Sequence, residues 1–308
     1  MTQPLLIVGE ALDSPARTRA PDRTPMRVAA VQHAWIPDGD ELRSSLAAGV
    51  RAAADAGAEL ICLGELTLYP YFATSPDGPA STPIEPEAIP AGQTASFAAD
   101  LARETKTHII ASLPERSADG GLWHNTAVLI APDGSLVART RKVHLPVTAG
   151  YYEDRYFRTA DAAEAINVVP VDRASVGFPT CWDEWFPELA RAYSLAGAEL
   201  LVYPTAIGSE PDHPDFDTQP LWQQVIVANG IMNGTFMIVP NRVGSEGLLT
   251  FYGSSFISDP YGRILAQAPR DKPAVIVADL DLDQRRDWLE LFPFLNTRRP
   301  DVYLSLTS

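Results

Sequence analysis

The chain has only two cysteines, Cys62 and Cys181, in 308 residues. That leaves no disulfide framework and suits a reducing cytoplasm. No uninterrupted apolar run is long enough to span a bilayer, so no membrane partner is expected. Basic residues are outnumbered, 24 Lys and Arg against 39 Asp and Glu, for a formal charge of −15. Nucleic acid and anionic membrane surfaces are therefore poor main partners, and a neutral or cationic small molecule is a better one. The five histidines (His33, His108, His124, His144, His213) lack metal-ligand spacing, and there is no Cys-x-x-Cys pair. A Gly-x-Gly-x-x-Gly run, a P-loop and a Ser-centred hydrolase elbow are also missing, so nucleotide binding and serine-hydrolase chemistry have no support.

What is present reads as one globular domain. The length fits one large domain or two small ones, and the apolar fraction of 46% is ordinary. Residues 1–25 hold a brief apolar piece, Leu5-Leu6-Ile7-Val8, with no basic region before it, and are then rich in Pro, Arg, Asp and Thr. They make a poor signal peptide and read as a mobile or docked extension before a single domain over 26–308.

The spacing predicts a strand at Met26–Gln32. A helix from about Asp40 follows, with Leu42, Leu46, Val50 and Ala53 on one face and Gly57 as its stop. Leu60–Leu63 then reads as a buried strand ending at Gly64-Glu65. Further on, a helix from about Glu184 carries Phe186, Leu189, Ala190 and Tyr193, ends at Gly197 and leads into the strand Leu200–Tyr203. These passages repeat. Ala56-Gly57-Ala58-Glu59-Leu60 recurs as Ala196-Gly197-Ala198-Glu199-Leu200, a shift of 140. Thr107-His108-Ile109-Ile110 parallels Thr235-Phe236-Met237-Ile238, and Pro132-Asp133-Gly134 parallels Pro260-Tyr261-Gly262, both shifted by 128. The difference puts 12 extra residues in the first half, in the loop from about Ala73 to Gly92. Each half reads helix–strand, helix–strand, then a hairpin closed by a Pro-x-Gly turn. Two such halves fit an α/β sandwich, sheet against sheet with helices on both outer faces.

Three side chains stand at the ends of strands, and each also has an ordinary structural reading. Glu65, in Leu63-Gly64-Glu65-Leu66-Thr67-Leu68-Tyr69-Pro70, is a carboxylate at the rim of a core; it suits a general base, or a helix cap or ion pair. Lys142 ends the strand Leu136–Arg141 and either aims at a developing oxyanion or lies in solvent. Cys181 follows the short apolar run Val176-Gly177-Phe178-Pro179-Thr180, and a helix with proline in its first turn comes soon after. The positive end of a helix favours thiolate, whereas a structural cysteine is simply a small buried hydrophobe. Pro179 cannot donate to a ladder and implies a bulge or an edge there. Glu153, in the aromatic loop Gly150-Tyr151-Tyr152-Glu153, reads as an ion-pair partner or a supporting carboxylate. Cys62, inside an apolar strand, reads as structural.

A glutamate, a lysine and a cysteine in this order, each at a strand end, resemble the catalytic set of the nitrilase superfamily of carbon–nitrogen hydrolases. The likeness runs from about Met26 to Tyr303 and is nearest to the N-carbamoylputrescine amidase group. It rests on Lys142-Val143-His144-Leu145-Pro146, Gly150-Tyr151-Tyr152-Glu153, Cys181-Trp182-Asp183 with Trp185-Phe186-Pro187-Glu188, Tyr203-Pro204-Thr205-Ala206-Ile207-Gly208-Ser209-Glu210-Pro211 and Arg298-Arg299-Pro300-Asp301-Val302-Tyr303.

The resemblance implies a four-layer α-β-β-α sandwich that assembles as a homodimer or larger homo-oligomer, with no metal and no organic cofactor. By position, Glu65 would be the general base, Cys181 the nucleophile and Lys142 the oxyanion stabiliser. Glu153 would support the lysine or the substrate amide. Tyr69, Trp182, Asp183 and Glu184 complete the set of supporting and substrate-binding residues. The expected substrate is a small amide or carbamoyl compound. Relatives that cleave N-carbamoyl amino acids tend to place arginines after the cysteine; here Trp182-Asp183-Glu184-Trp185 suits an amine-bearing tail. The expectation is therefore hydrolysis of an N-carbamoyl amine such as N-carbamoylputrescine. The alternatives are N-carbamoyl-β-alanine hydrolysis, simple or omega-amide hydrolysis, acyl transfer to an amine, and a catalytically silent binder. Glu184 stands where the group usually has glutamine.

Overall fold

The internal repeat of the sequence is a repeat of connectivity. In the computed structural model, which describes residues 4–307, the first half runs β2 (Met26–Gln32), α1 (Gly39–Asp55), β3 (Leu60–Leu63), α2 (Gln93–Thr105), β4 (His108–Glu115), β5 (His124–Ile130), β6 (Leu136–Arg141) after an N-terminal β1 (Leu5–Val8). A short hairpin, β7 (Val147–Thr148) and β8 (Tyr151–Tyr152), and the strand β9 (Val168–Val171) lead to the second half. There β10 (Ala174–Gly177), α3 (Pro187–Leu195), β11 (Leu200–Val202), α4 (Gln219–Asn233) and β12 (Phe236–Val239) precede a hairpin of β13 (Val243–Glu246) and β14 (Leu249–Tyr252). β15 (Phe256–Ser258), β16 (Ile264–Gln267), β17 (Ala274–Leu280) and α5 (Asp283–Leu291) complete the main elements. In each half two parallel pairings are followed by two antiparallel ones: β2-β3-β4-β5-β6, and β10-β11-β12-β15-β16.

Strand alternation makes the layers. On β3, Leu60 and Cys62 face the opposite sheet while Ile61 and Leu63 face α1 and α2; on β11, Leu200 and Val202 face inward while Leu201 packs toward α3 and α4. The central layer joins Val28, Cys62 and Ile110 of one sheet to Val176, Val202 and Ile238 of the other. Cys62 is thus a core residue, as its strand position predicts. The result is α-β-β-α, helices outside and two sheets in contact. Asp38 caps α1 by accepting from the N–H groups of Asp40 and Glu41. The matching stops, Gly57 (φ 87°) and Gly197 (φ 100°), take a left-handed backbone that only glycine adopts freely.

Two local expectations are corrected. The strand before Cys181 ends at Gly177, so Pro179 lies beyond the ladder and needs neither bulge nor edge. The helix does not begin at Glu184: Cys181–Trp185 is a single 3₁₀ turn, and α3 begins only at Pro187.

The N-terminal residues lie against the sandwich. β1 pairs in parallel with β17 at the edge of the first sheet. Arg17 bridges Asp281 and Asp287, and Arg23 bridges Asp283 and Glu199.

Gly177, the last residue of β10, shows how tightly the segment before Cys181 is packed. A Cβ there would lie 2.4 Å from Cδ1 of Tyr193 and 3.0 Å from Leu201. Gly177→Ala is expected to cost about 1–3 kcal/mol by overpacking, read as a lower urea midpoint. An unchanged midpoint would show that the Tyr193 ring yields freely.

Candidate active site

The Glu65 turn begins where β3 ends, and hydrogen bonds hold it from several directions. Its N–H donates to the Thr205 carbonyl (3.3 Å), and Leu66 N–H donates to Ser112 Oγ (3.1 Å). Leu66 has φ 49°, a left-handed backbone without glycine, which persists only where the surroundings enforce it. β6 ends one residue before Lys142, whose N–H donates to the Asn125 carbonyl on β5 (2.8 Å). Cys181 opens its turn with φ 42°, another left-handed non-glycine residue, and its N–H donates to the Pro204 carbonyl (3.0 Å).

The structure brings Glu65, Lys142 and Glu153 into one buried cluster. Lys142 Nζ donates to Glu65 Oε1 (2.8 Å) and to both Glu153 oxygens (2.9 and 2.8 Å), so all three ammonium hydrogens are engaged. Asn125 Nδ2 adds a bond to Glu65 Oε1 (2.7 Å) and a longer one to Glu153 Oε2 (3.3 Å). Tyr71 donates its hydroxyl to Glu153 Oε1 (2.8 Å). Glu65 Oε2 is buried and has no hydrogen-bond partner among the described residues. A buried carboxylate oxygen left open in this way can accept a proton.

Burial opposes the Lys142 ammonium, but Glu153 and Glu65 override it and hold its pKa well above the ordinary lysine value. Burial raises the Glu153 carboxyl, with Lys142 pulling the other way and Glu65 reinforcing the rise. Burial, and then the Glu65 charge, push the Cys181 thiol well above its usual range against the pull of Lys142. This corrects the helix-end argument, which favoured thiolate. A five-residue 3₁₀ turn supplies little dipole, and desolvation beside a carboxylate dominates. These surroundings favour the thiol form of Cys181.

A cavity of about 270 Å³ opens over Cys181 and Glu153. Its walls are largely aromatic: Tyr71, Tyr151, Trp182, Trp185 and Phe216, with Pro146, Ile207 and Leu221. Glu210 and Thr218 add polar groups, and none of the residues lining the cavity is basic. Glu210 is half-buried, and burial raises its carboxyl pKa.

Of the expected supporting residues, Glu153 and Trp182 line this cavity and the others do not. In a 3₁₀ turn side chains three apart share a face, so Trp182 and Trp185 point one way while Asp183 and Glu184 each point elsewhere. Asp183 accepts from His144 N (2.8 Å), His144 Nδ1 (2.9 Å) and Thr180 N (3.1 Å), clasping the lysine loop to the cysteine turn. The His144 ring also stacks on Phe186 at 3.6 Å. Glu184 is buried against Trp222 Nε1 and Thr205. Tyr69 donates to Glu87 (2.7 Å) in the long first-half loop, away from the cavity. The acidic elbow is therefore not a substrate surface. Trp185, read with Trp182 as suiting an amine-bearing tail, does line the cavity, whereas Asn125, Tyr71, Tyr151 and Glu210 are members to which sequence reading gave no role. The one available signal was His124-Asn125-Thr126, a polar opening to an otherwise apolar strand.

Residues 27–290 match the family model described as Carbon-nitrogen hydrolase. The chain belongs to the carbon–nitrogen hydrolase family. This carbon–nitrogen hydrolase is 35% identical over 289 residues to a citrullinase of Francisella tularensis subsp. tularensis, covering 90% of this chain and 96% of that protein. It is 34% identical over 284 residues to an N-carbamoylputrescine amidase of Solanum lycopersicum, covering 90% and 93%. A solved carbon–nitrogen hydrolase from Helicobacter pylori G27 superposes with a TM-score of 0.80 at 32% identity, over 92% of this chain and 99% of that one. The chain is accordingly a hydrolase of carbon–nitrogen bonds other than peptide bonds.

Glu184 yields a prediction of its own. Burial raises its carboxyl well above the ordinary value of 4.5. Trp222 Nε1 and the Thr205 hydroxyl donate to its two oxygens and pull the other way, the Thr205 bond being long (3.3 Å) while that hydroxyl also meets the Tyr203 carbonyl (2.7 Å). The unfolded chain releases this proton near 4.5 and the folded chain holds it to higher pH. The stability tied to the proton is therefore full at low pH and is lost above the unfolded value, by about 1.4 kcal/mol per pH unit, until the folded value is reached. Glu184→Gln should thus gain stability over the parent as pH rises from about 5 to about 8, measured by denaturant titration. A difference that does not vary with pH would refute the neutral carboxyl.

Proposed function

We propose that this hydrolase cleaves an N-carbamoyl amine, with Cys181 as nucleophile and Glu65 as base. Glu65 Oε2 takes the thiol proton and Cys181 Sγ attacks the carbamoyl carbon. Lys142 stabilises the developing oxyanion chiefly as a fixed charge, since its hydrogens already meet Glu65 and Glu153. Glu65 returns the proton to the departing nitrogen and then activates water against the thioester-like intermediate. One water converts the carbamoyl amine to the free amine, ammonia and carbon dioxide.

The observation that carries the substrate class is the charge pattern of the cavity. Glu153 is neutralised by Lys142, while Glu210 stands among aromatic rings with no basic neighbour in the wall. An ammonium tail gains both the Glu210 carboxylate and cation–π contact with the rings. A carboxylate tail, such as that of citrulline or N-carbamoyl-β-alanine, would meet no cation there. The loop beyond Glu210 adds Asp212 and Asp215, while Asp217 is paired with Arg270. Names among the relatives include N-carbamoylputrescine amidase, which agrees with this reading.

The face formed by α4 and α5 leaves Met232, Leu291 and Phe292 largely exposed, and we assign it to a second copy of the chain.

Ammonia release should be faster from N-carbamoylputrescine than from N-carbamoyl-β-alanine, citrulline or a simple ω-amide. It should vanish in Cys181→Ala. Glu210→Gln should raise KM for the diamine derivative about tenfold with little change in kcat. Preference for a carboxylate-bearing substrate would overturn the amine assignment, and a faster simple amide would replace it with an amidase. Sedimentation should give a dimer or larger, which Met232→Glu with Leu291→Glu weakens; a monomeric parent would sink the assembly.

A further inference from the structure

Arg242 has no place in the mechanism above, yet it is one of the largest fully buried side chains and faces the back of the Glu65 turn. It lies between β12 and β13, in the second half, whereas the turn belongs to the first. Its Nη2 donates to three main-chain carbonyls, those of Glu65 (3.0 Å), Leu66 (3.1 Å) and Tyr69 (2.9 Å). Its Nη1 meets both oxygens of Glu246 (2.7 and 2.8 Å), and its guanidinium sits over the Phe251 ring at 5.6 Å. Glu246 Oε2 in turn accepts the Tyr71 N–H (2.8 Å). The pair therefore grips the segment from Glu65 to Tyr71 at four main-chain groups.

We propose that Arg242, held by Glu246, is a positioning residue that fixes the direction of the open Glu65 oxygen toward Cys181; this rests on Glu65 being the base. Three features support it. Glu65 Oε1 is already committed to Lys142 and Asn125, so the aim of Oε2 depends on where the Glu65 peptide is held. That peptide is held from the second half on both sides, its N–H by the Thr205 carbonyl and its carbonyl by Arg242. The next residue, Leu66, is left-handed, and its own carbonyl is one of the three that Arg242 binds. The clamp also reaches Glu153, because Tyr71, tied to Glu246 through its N–H, donates its hydroxyl to Glu153. A lysine at 242 keeps the charge but has no planar fork to reach three carbonyls and a carboxylate together. Arg242 does not line the cavity, so it acts through the turn and not on the substrate.

The test uses Arg242→Lys and Glu246→Asp, which conserve charge, with Glu65→Gln as reference. Two quantities are read: turnover of N-carbamoylputrescine, and the pH dependence of iodoacetamide alkylation at Cys181, followed by peptide mass spectrometry. Glu65→Gln removes the negative charge that raises the thiol, so its alkylation midpoint moves to lower pH. Arg242→Lys should move that midpoint in the same direction by a smaller amount. It should also lower kcat by about tenfold to hundredfold, with KM nearly unchanged. Glu246→Asp should do the same more weakly, and it decides the matter if Arg242→Lys does not fold. A folded clamp variant with the parent's alkylation profile, or one whose loss lies in KM, overturns the proposal while leaving Glu65 as base. If Glu65→Gln itself retains the parent's kcat, the base assignment falls and the proposal falls with it.

Discussion

Lys142 carries a positive charge where water does not reach, and much of the molecule is arranged around it. Isolating an ammonium from water costs several kcal/mol even after relaxation, and a single buried partner often fails to offset that. Here two carboxylates share the ammonium, Asn125 spans both of them, and Tyr71 adds a second bond to Glu153 Oε1. These groups come from different strand ends and loops: the segment after β3, the start of β5, the end of β6 and the short helical turn after β8. The cluster can exist only if the sandwich delivers all of them to one end. Burial first, and then the Glu65 charge, favour the thiol form of the neighbouring Cys181.

Periodicity made the architecture legible. Alternating apolar strands, matched Ala-Gly-Ala stops and two Pro-x-Gly turns mark two like halves in the sequence itself. The residues at strand ends were readable because an apolar run that stops at a charge or a thiol is seldom shaped by packing alone. The cysteine turn was not readable in detail. A charged pair between two tryptophans looks like a binding surface if the segment is an exposed helix start. As a 3₁₀ turn it puts the two tryptophans on one face and each acidic residue on another. Asp183 then becomes a clasp for main-chain N–H groups, and Glu184 becomes a buried carboxyl that accepts from Trp222.

Long-range partners were equally out of reach. Glu210 and Tyr151 meet Cys181 in one cavity only because the β7–β8 hairpin and the loop after β11 converge, and no spacing between them in the sequence marks that meeting. The same holds for Arg242, whose targets lie more than 170 residues away in the chain. A basic residue followed by an acidic one four positions later reads as a surface pair. Only the fold reveals that both are buried.

The order of strands in the first sheet carries one more consequence. β17, the last strand of the chain, lies between β1 and β2, and β1 has no other ladder partner among the described residues. On a ribosome β1 is therefore made long before it can find its place, waiting for some 270 later residues to emerge. The outer edge of β2 stays bare for the same interval, so the two halves, alike as they are, cannot mature one after the other as separate units.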